Sequence, residues 1–218
     1  MERTITVKGT GSVSVKPDLT VITLSLESVR KDYDTAMEQA AQKLEALQEA
    51  LAAVGFAGTD IKTTGFNVRT EYESERDMNG NYRSVFKGYC CRHDLSLSFD
   101  FDTALLSKVL SAVASCLSEP ELNIRFSVKD PAAVNEALLE DAARNARQKA
   151  GILAAASGVE LGELLSIDYS WGELNLYSDT DCNIPLLPMM AKEYSVDMDV
   201  EPDDIRLRDT ATFVWRIA

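Results

Sequence analysis

Two long alternating runs between Ile61 and Phe101, joined at Asn79-Gly80, constrain this chain more than any other feature. Asn-Gly suits a type I′ hairpin turn, whose two central residues both need positive φ. With Asn79 and Gly80 as a two-residue loop, Phe66 falls opposite His93, Val68 opposite Cys91, Thr70 opposite Tyr89 and Tyr72 opposite Lys87. The apolar faces then match, whereas a one-residue slip would set Phe66 and Val68 against the face of Cys90 and Arg92. Tyr82 to Phe101 would extend roughly 65 Å if straight, against a usual strand of about 5–6 residues. The sequence therefore predicts a hairpin that outruns its core. Phe66, Val68, Cys91, Leu95, Leu97 and Phe99 are expected to bury near its base, while Glu73, Glu75, Arg76, Asp77 and Arg83 leave its far part no broad apolar face. A lone two-stranded arm is marginal in water, so residues 73–86 are either mobile or held by another subunit; the expectation is a subunit-bridging arm anchored by Tyr82, Val85 and Phe86.

The remaining elements follow from period and punctuation. Ile5 and Val7 alternate, Gly9-Thr10-Gly11 reads as a turn, and Val13 and Val15 resume before Pro17-Asp18. From Leu19 the apolar phase slips between Val21 and Ile22, which predicts a β-bulge. A first helix opens at Asp32 or Asp34, carries Tyr33, Met37, Ala40, Leu44, Leu47, Leu51 and Val54, and ends at Gly55 with Phe56 placed to touch Leu51. Asp102 caps a second helix with Leu106, Val109, Leu110, Val113 and Leu117. Leu122 to Val128 alternates as a strand with one wet face. Asp130-Pro131 opens the longest helix, to about Ser157, and its alanines 142, 143, 146, 150 and 154 let a neighbouring layer approach closely. Strands at 165–171 and 205–217 are expected to pair across an aperiodic excursion, 177–202. A helix, a glycine and a strand recur at 34–68 and 131–171, the pattern a distant duplication would leave. The chain reads as an α+β domain spanning 1–218, with sub-halves 1–101 and 102–218, and with an antiparallel sheet or sheets carrying three helices on one side.

Composition narrows the function. A formal charge of −13, from 22 basic and 35 acidic residues, opposes a phosphate-binding surface, so no nucleic-acid partner is expected. No apolar run approaches the ~20 residues of a membrane helix, and no membrane insertion is expected. The N-terminal residues pass straight into an alternating run without the pattern of a leader peptide, and four cysteines in no zinc spacing read as reduced thiols. Both point to a cytoplasmic location.

Few residues offer chemistry. His93, the single histidine, shares a strand face with Cys91, Leu95 and Leu97 and has no partner for base catalysis. Cys90 and Cys91 beside Arg92 are candidate redox residues, because a nearby cation lowers a thiol pKa; the competing reading is two small strand residues, one of them in the core. Asp197, Asp199, Glu201 and Asp203 alternate like calcium ligands, but Pro202 and Arg208 occupy the positions where an EF-hand needs Gly and Glu. No catalytic residue, metal or cofactor is assigned. Leu186, Leu187, Met189 and Met190 crowd an otherwise acidic loop and join Tyr82, Val85 and Phe86 as candidate interface residues.

Several local signatures, in order, resemble the SIMPL-domain family of bacterial and animal proteins. They are Ile5-Thr6-Val7-Lys8-Gly9-Thr10-Gly11 leading to Pro17-Asp18; Gly55 followed by Asp60-Ile61-Lys62-Thr63; Gly88-Tyr89; Phe126-Ser127-Val128-Lys129-Asp130; Lys149-Ala150 in the alanine-rich helix; and Glu201-Pro202-Asp203-Asp204-Ile205. The resemblance implies an α+β fold and a tendency to self-associate. It also implies roles of the kind its members are linked to, oxidative-stress tolerance in bacteria and signalling-kinase association in animals. It carries over no catalytic residue, and many bacterial relatives look exported. The resulting expectation is a non-enzymatic, homo-oligomeric protein-interaction domain in stress response or signalling, with an unknown protein as a further partner. A thiol-based redox sensor, or an enzyme whose site the sequence does not display, are the alternatives.

Overall fold

The computed structural model describes residues 3–76, 82–116, 120–170, 172, 174–180, 182–184 and 200–218. Among these, eight strands form two antiparallel sheets, and three helices accompany them. The chain divides into two compact units, each assembled from separate segments: residues 1–18, 127–179 and 202–218 in one, residues 19–126 and 180–201 in the other. This partition is drawn differently from the halves 1–101 and 102–218.

The first unit contains β1 (Thr4–Val15), α3 (Pro131–Ala156), β6 (Leu161–Asp168) and β8 (Ile205–Ile217), with strand order β1-β8-β6. Gly9-Thr10-Gly11 does not turn the chain. β1 runs through it and pairs with β8 without interruption from Thr4 opposite Arg216 to Val15 opposite Ile205. The glycines serve helix packing instead: a Cβ on Gly9 would lie 2.1 Å from the Ala142 carbonyl oxygen, and one on Gly11 would lie 2.1 Å from that of Leu138. α3 presents Leu138, Ala142, Ala146, Ala150 and Ala154, all buried, so small residues meet small residues. Its next face closes the free edge of β1. Asn145 Oδ1 accepts from Thr10 N at 3.0 Å, Asp141 Oδ2 accepts from Ser12 N at 3.0 Å, and Lys149 Nζ donates to Lys8 O at 3.2 Å. Four helical residues rise about 6 Å and two strand residues about 6.8 Å, so the two ladders nearly keep step. An exposed edge is thereby blunted.

The second unit contains β2 (Leu19–Arg30), α1 (Tyr33–Ala52), β3 (Ile61–Arg76), β4 (Tyr82–Asp100), α2 (Thr103–Ser115), β5 (Glu121–Ser127) and β7 (Cys182–Ile184), in strand order β3-β4-β2-β5-β7. Asp32 and Asp102 cap the two helices, accepting from Thr35 N and Leu105 N. α1 ends in a Schellman motif, with Phe56 N donating to Leu51 O, Gly55 N donating to Ala52 O, and Gly55 at φ 111°. Leu47 and Leu51 of α1, Leu106, Val109, Leu110 and Val113 of α2, and Ile22, Leu24, Leu26, Leu95, Leu97, Ile124 and Phe126 of the sheet make one core.

Against β4, β2 shows no bulge. It pairs continuously with β4 from Leu19 opposite Asp100 to Arg30 opposite Tyr89. The slip in apolar phase arises because Thr20, a polar residue, takes the core position opposite Phe99, while Val21 lies half-buried on the other face.

Candidate functional site

The hairpin of β3 and β4 has two faces of opposite character. At its base the register is the expected one, with Phe66 opposite His93, Val68 opposite Cys91 and Thr70 opposite Tyr89. Two bulges interrupt it, one at Thr64 and one at Lys87. The second re-phases the outer part, so Tyr72 stands opposite Phe86 instead of Lys87, and Arg76 stands opposite Tyr82. The Asn79-Gly80 turn lies outside the described residues.

Gly88, next to this bulge, has φ 155°, and a Cβ there would lie 2.3 Å from the Arg30 carbonyl oxygen. Glycine is therefore what lets the end of β2 close onto β4 at this point. The bulge places Phe86 on the same face as Tyr89, and a chain of edge-on rings results. Tyr33 meets Tyr89 at 5.6 Å between centroids, Tyr89 meets Phe86 at 5.4 Å, and Phe86 meets Tyr72 at 5.8 Å. Further out, the Arg76 guanidinium lies 5.9 Å from the centre of the Tyr82 ring. Tyr72 is 58% exposed, Tyr82 75%, Phe86 41% and Phe66 51%.

Phe66 and Val68 thus do not bury as expected. β3 is an outermost strand of its sheet, and only Ile61 of β3 is buried. Of the candidate anchors, Tyr82 and Phe86 share the aromatic face, whereas Val85, paired with Glu73, is half-buried on the other. Leu186, Leu187, Met189 and Met190 lie outside the described residues.

The opposite face is polar. Ser25 Oγ donates to Asp94 Oδ1 at 2.7 Å, Arg92 Nε donates to the same oxygen at 3.0 Å, and Arg92 and Arg69 reach Glu27 at 3.4 and 3.7 Å. The Ser25 and Arg92 hydrogen bonds hold the Asp94 carboxyl below its ordinary pKa. Cys90 sits in this face between Arg69 and Val29, and Cys91 sits on the helix side between Val68 and Ser28. Both are buried, and burial pushes both thiols up; for Cys90 the nearby Glu27 adds to the effect. Arg92, the cation beside them in sequence, is engaged by Asp94 and Glu27. His93 is buried under Phe66 in edge-on contact at 5.2 Å, with Thr63 Oγ1 at 2.9 Å from Nε2, and burial lowers its pKa.

In the first unit, Leu174, Tyr177, Asp179, Asp204, Arg206 and Arg208 line a recess of about 250 Å³. That is below the ~300–1,000 Å³ of ordinary ligand pockets. Among the described residues no three His, Cys, Asp or Glu side chains gather as a metal site, and no helix is long and apolar enough to cross a membrane.

Fold and surface define an α+β protein whose sheets are antiparallel and whose outer hairpin displays a row of aromatic side chains. The chain belongs to the SIMPL family, described as a protein of unknown function (DUF541), which it matches over residues 5–215. It is 26% identical over 163 residues to the 26 kDa periplasmic immunogenic protein of Brucella melitensis, covering 75% of this chain and 65% of that protein. It is 27% identical over 165 residues to the uncharacterized protein YggE of Edwardsiella ictaluri, covering 76% of this chain and 67% of that protein. The chain thus spans about two thirds of the length of these relatives.

Proposed function

We propose that this protein is a non-enzymatic, self-associating interaction domain, acting in stress response or signalling, and that the aromatic face of the hairpin is its contact surface. The observation that carries the reading is the exposure of Phe66, Tyr72, Tyr82 and Phe86 on one face of a single hairpin. Tyrosine and phenylalanine combine large apolar area with few rotatable bonds, the property that enriches aromatic residues at interfaces. Exposed singly they would mean little, but several on one face of one hairpin, two of them in ring contact, support a contact surface. The thiol-sensor alternative draws no support from Cys90 and Cys91, because a reactive cysteine needs a lowered pKa and access.

Light scattering on the eluting full chain tests this. The assembly mass should exceed one chain, and replacing Glu73–Phe86 by a short Asn-Gly turn should lower it while the fold persists. An unchanged mass would remove the arm from the contact. Location is a separate question: four free cysteines fit a reducing compartment, whereas the Brucella relatives carry a periplasmic name. Fractionation of cells making the full-length protein separates the two.

A further inference from the structure

The two sheets treat their long edges differently. α3 side chains cover the edge of β1, but no strand pairs with the outer edge of β3 among the described residues. From Gly65 to Arg76 β3 keeps an unbroken run, since its own bulge falls at Thr64 and the second bulge is on β4. A bare strand edge of this length is a template for another strand.

The charge order along β3 says which strand. Its first part is basic, with Lys62 and Arg69, and its second part carries Glu71, Glu73 and Glu75 before Arg76. Three basic and three acidic residues make it neutral within a chain of charge −13, so this stretch is spared the repulsion that opposes association elsewhere. Laid antiparallel on a copy of itself, the basic part meets the acidic part.

We infer that β3 pairs antiparallel with β3 of a second copy of this chain, centred on Thr70, so that Arg69 of each copy faces Glu71 of the other. The assignment rests on the self-association reading and names its contact. Neighbouring registers do worse on charge: centring on Val68 sets Arg69 against Asn67 and Glu71 against Gly65, so no opposite charges pair within β3. Centring on Arg69 or on Glu71 sets that residue against itself, and centring on Tyr72 sets Glu71 against Glu73; like charges directly opposite are unfavourable. A centre between two residues would turn the second copy over and put the aromatic face beside the charged one. With Thr70 at the axis, Val68 faces Tyr72 twice on the aromatic side, an aromatic and β-branched pairing that sheets favour. Arg69 and Glu71 are within reach on the polar side, where their ion pairs with Glu27 and Lys87 are long, at 3.7 and 3.9 Å.

Cysteine cross-linking tests the axis, in full-length protein with Cys116 and Cys182 changed to serine. In Thr70→Cys the two Cβ atoms would lie about 4.5–5.5 Å apart, near the spacing a disulfide needs. In Glu73→Cys each new thiol would lie about 20 Å from its copy. Mild oxidation should yield disulfide dimer several-fold faster from the first variant. Arg69→Glu and Glu71→Arg should each weaken association at least about tenfold, since each sets acid on acid or base on base, and the double exchange should restore it. An assembly that ignores both charge reversals and cross-links no better at 70 than at 73 overturns the β3 contact while leaving self-association standing. A single-chain mass at every concentration overturns both.

Discussion

Tyr72 and Phe86 face each other across the hairpin with ring centroids 5.8 Å apart and planes at 73°, and the bulge at Lys87 is what aligns them. Gly88, the next residue of β4, lies against the backbone of Arg30 at the end of β2. Gly88→Ala would drive a Cβ to 2.3 Å from the Arg30 carbonyl oxygen at a positive φ that alanine resists. The variant should lose about 1–3 kcal/mol in denaturant unfolding, and the tyrosine contacts at Phe86 should change in NMR spectra. Wild-type stability with unaltered ring shifts would show that Arg30 does not close on β4 here.

Gly11→Ala tests how α3 seats on β1. The added methyl would lie 2.1 Å from the Leu138 carbonyl oxygen, which cannot move without the helix. Overpacking of this kind costs about 1–3 kcal/mol, occasionally more. Gly151→Ala, on the same helix with open space around it, is the control, and a gain of up to about 1 kcal/mol is expected there.

Asn145→Leu should remove the acceptor that Thr10 N uses and leave a strand amide without its partner. The loss should be about 1–3 kcal/mol, with faster hydrogen exchange at Thr10 than at Val7. Unchanged exchange at Thr10 would show that the helix does not guard this edge.

His93 sets the pH dependence near neutrality. Burial lowers its pKa in the folded protein below the ordinary 6.5, so the unfolded chain binds the proton first. Stability is therefore fully present above about pH 6.5 and is lost as pH falls toward the lowered folded value. Asp94, whose carboxyl is held below its ordinary 3.8, adds stability that is fully present above that value and is lost only as pH falls below it, where protonation weakens its bonds to Ser25 and Arg92. His93 is the single histidine, so His93→Gln should flatten the melting temperature between pH 7 and 5. A slope that survives the substitution would place its origin elsewhere.

Thiol titration should separate the cysteines. Cys90 and Cys91 are buried with raised pKa values, while Cys116 and Cys182 are half-buried. At pH 8 in native buffer the first two should react with a thiol reagent at least about tenfold more slowly than in urea. Modification of Cys90 or Cys91 by mild peroxide in the folded protein would revive redox sensing.

The sequence by itself determined what depends on near neighbours along the chain. Asp32, Asp102 and Asp130 cap the helices, Gly55 with Phe56 ends α1, Leu106, Val109, Leu110 and Val113 of α2 are buried as spaced while Leu117 lies outside the described residues, and the hairpin base takes the register its alternation dictates. Caps are local hydrogen bonds, and side-chain period is a property of the strand or helix alone. Tertiary structure decided what depends on the layer lying over each residue. Gly9 and Gly11 break an apolar run and so resemble a turn, until α3 packs within a Cβ of them. Phe66 has a core residue's pattern, but β3 is at the sheet edge and half of the ring stays in solvent. Phe86 joins Tyr72 because a bulge shifts one strand by one residue, next to a glycine whose absent Cβ leaves room for the backbone of Arg30, more than fifty positions away in the chain.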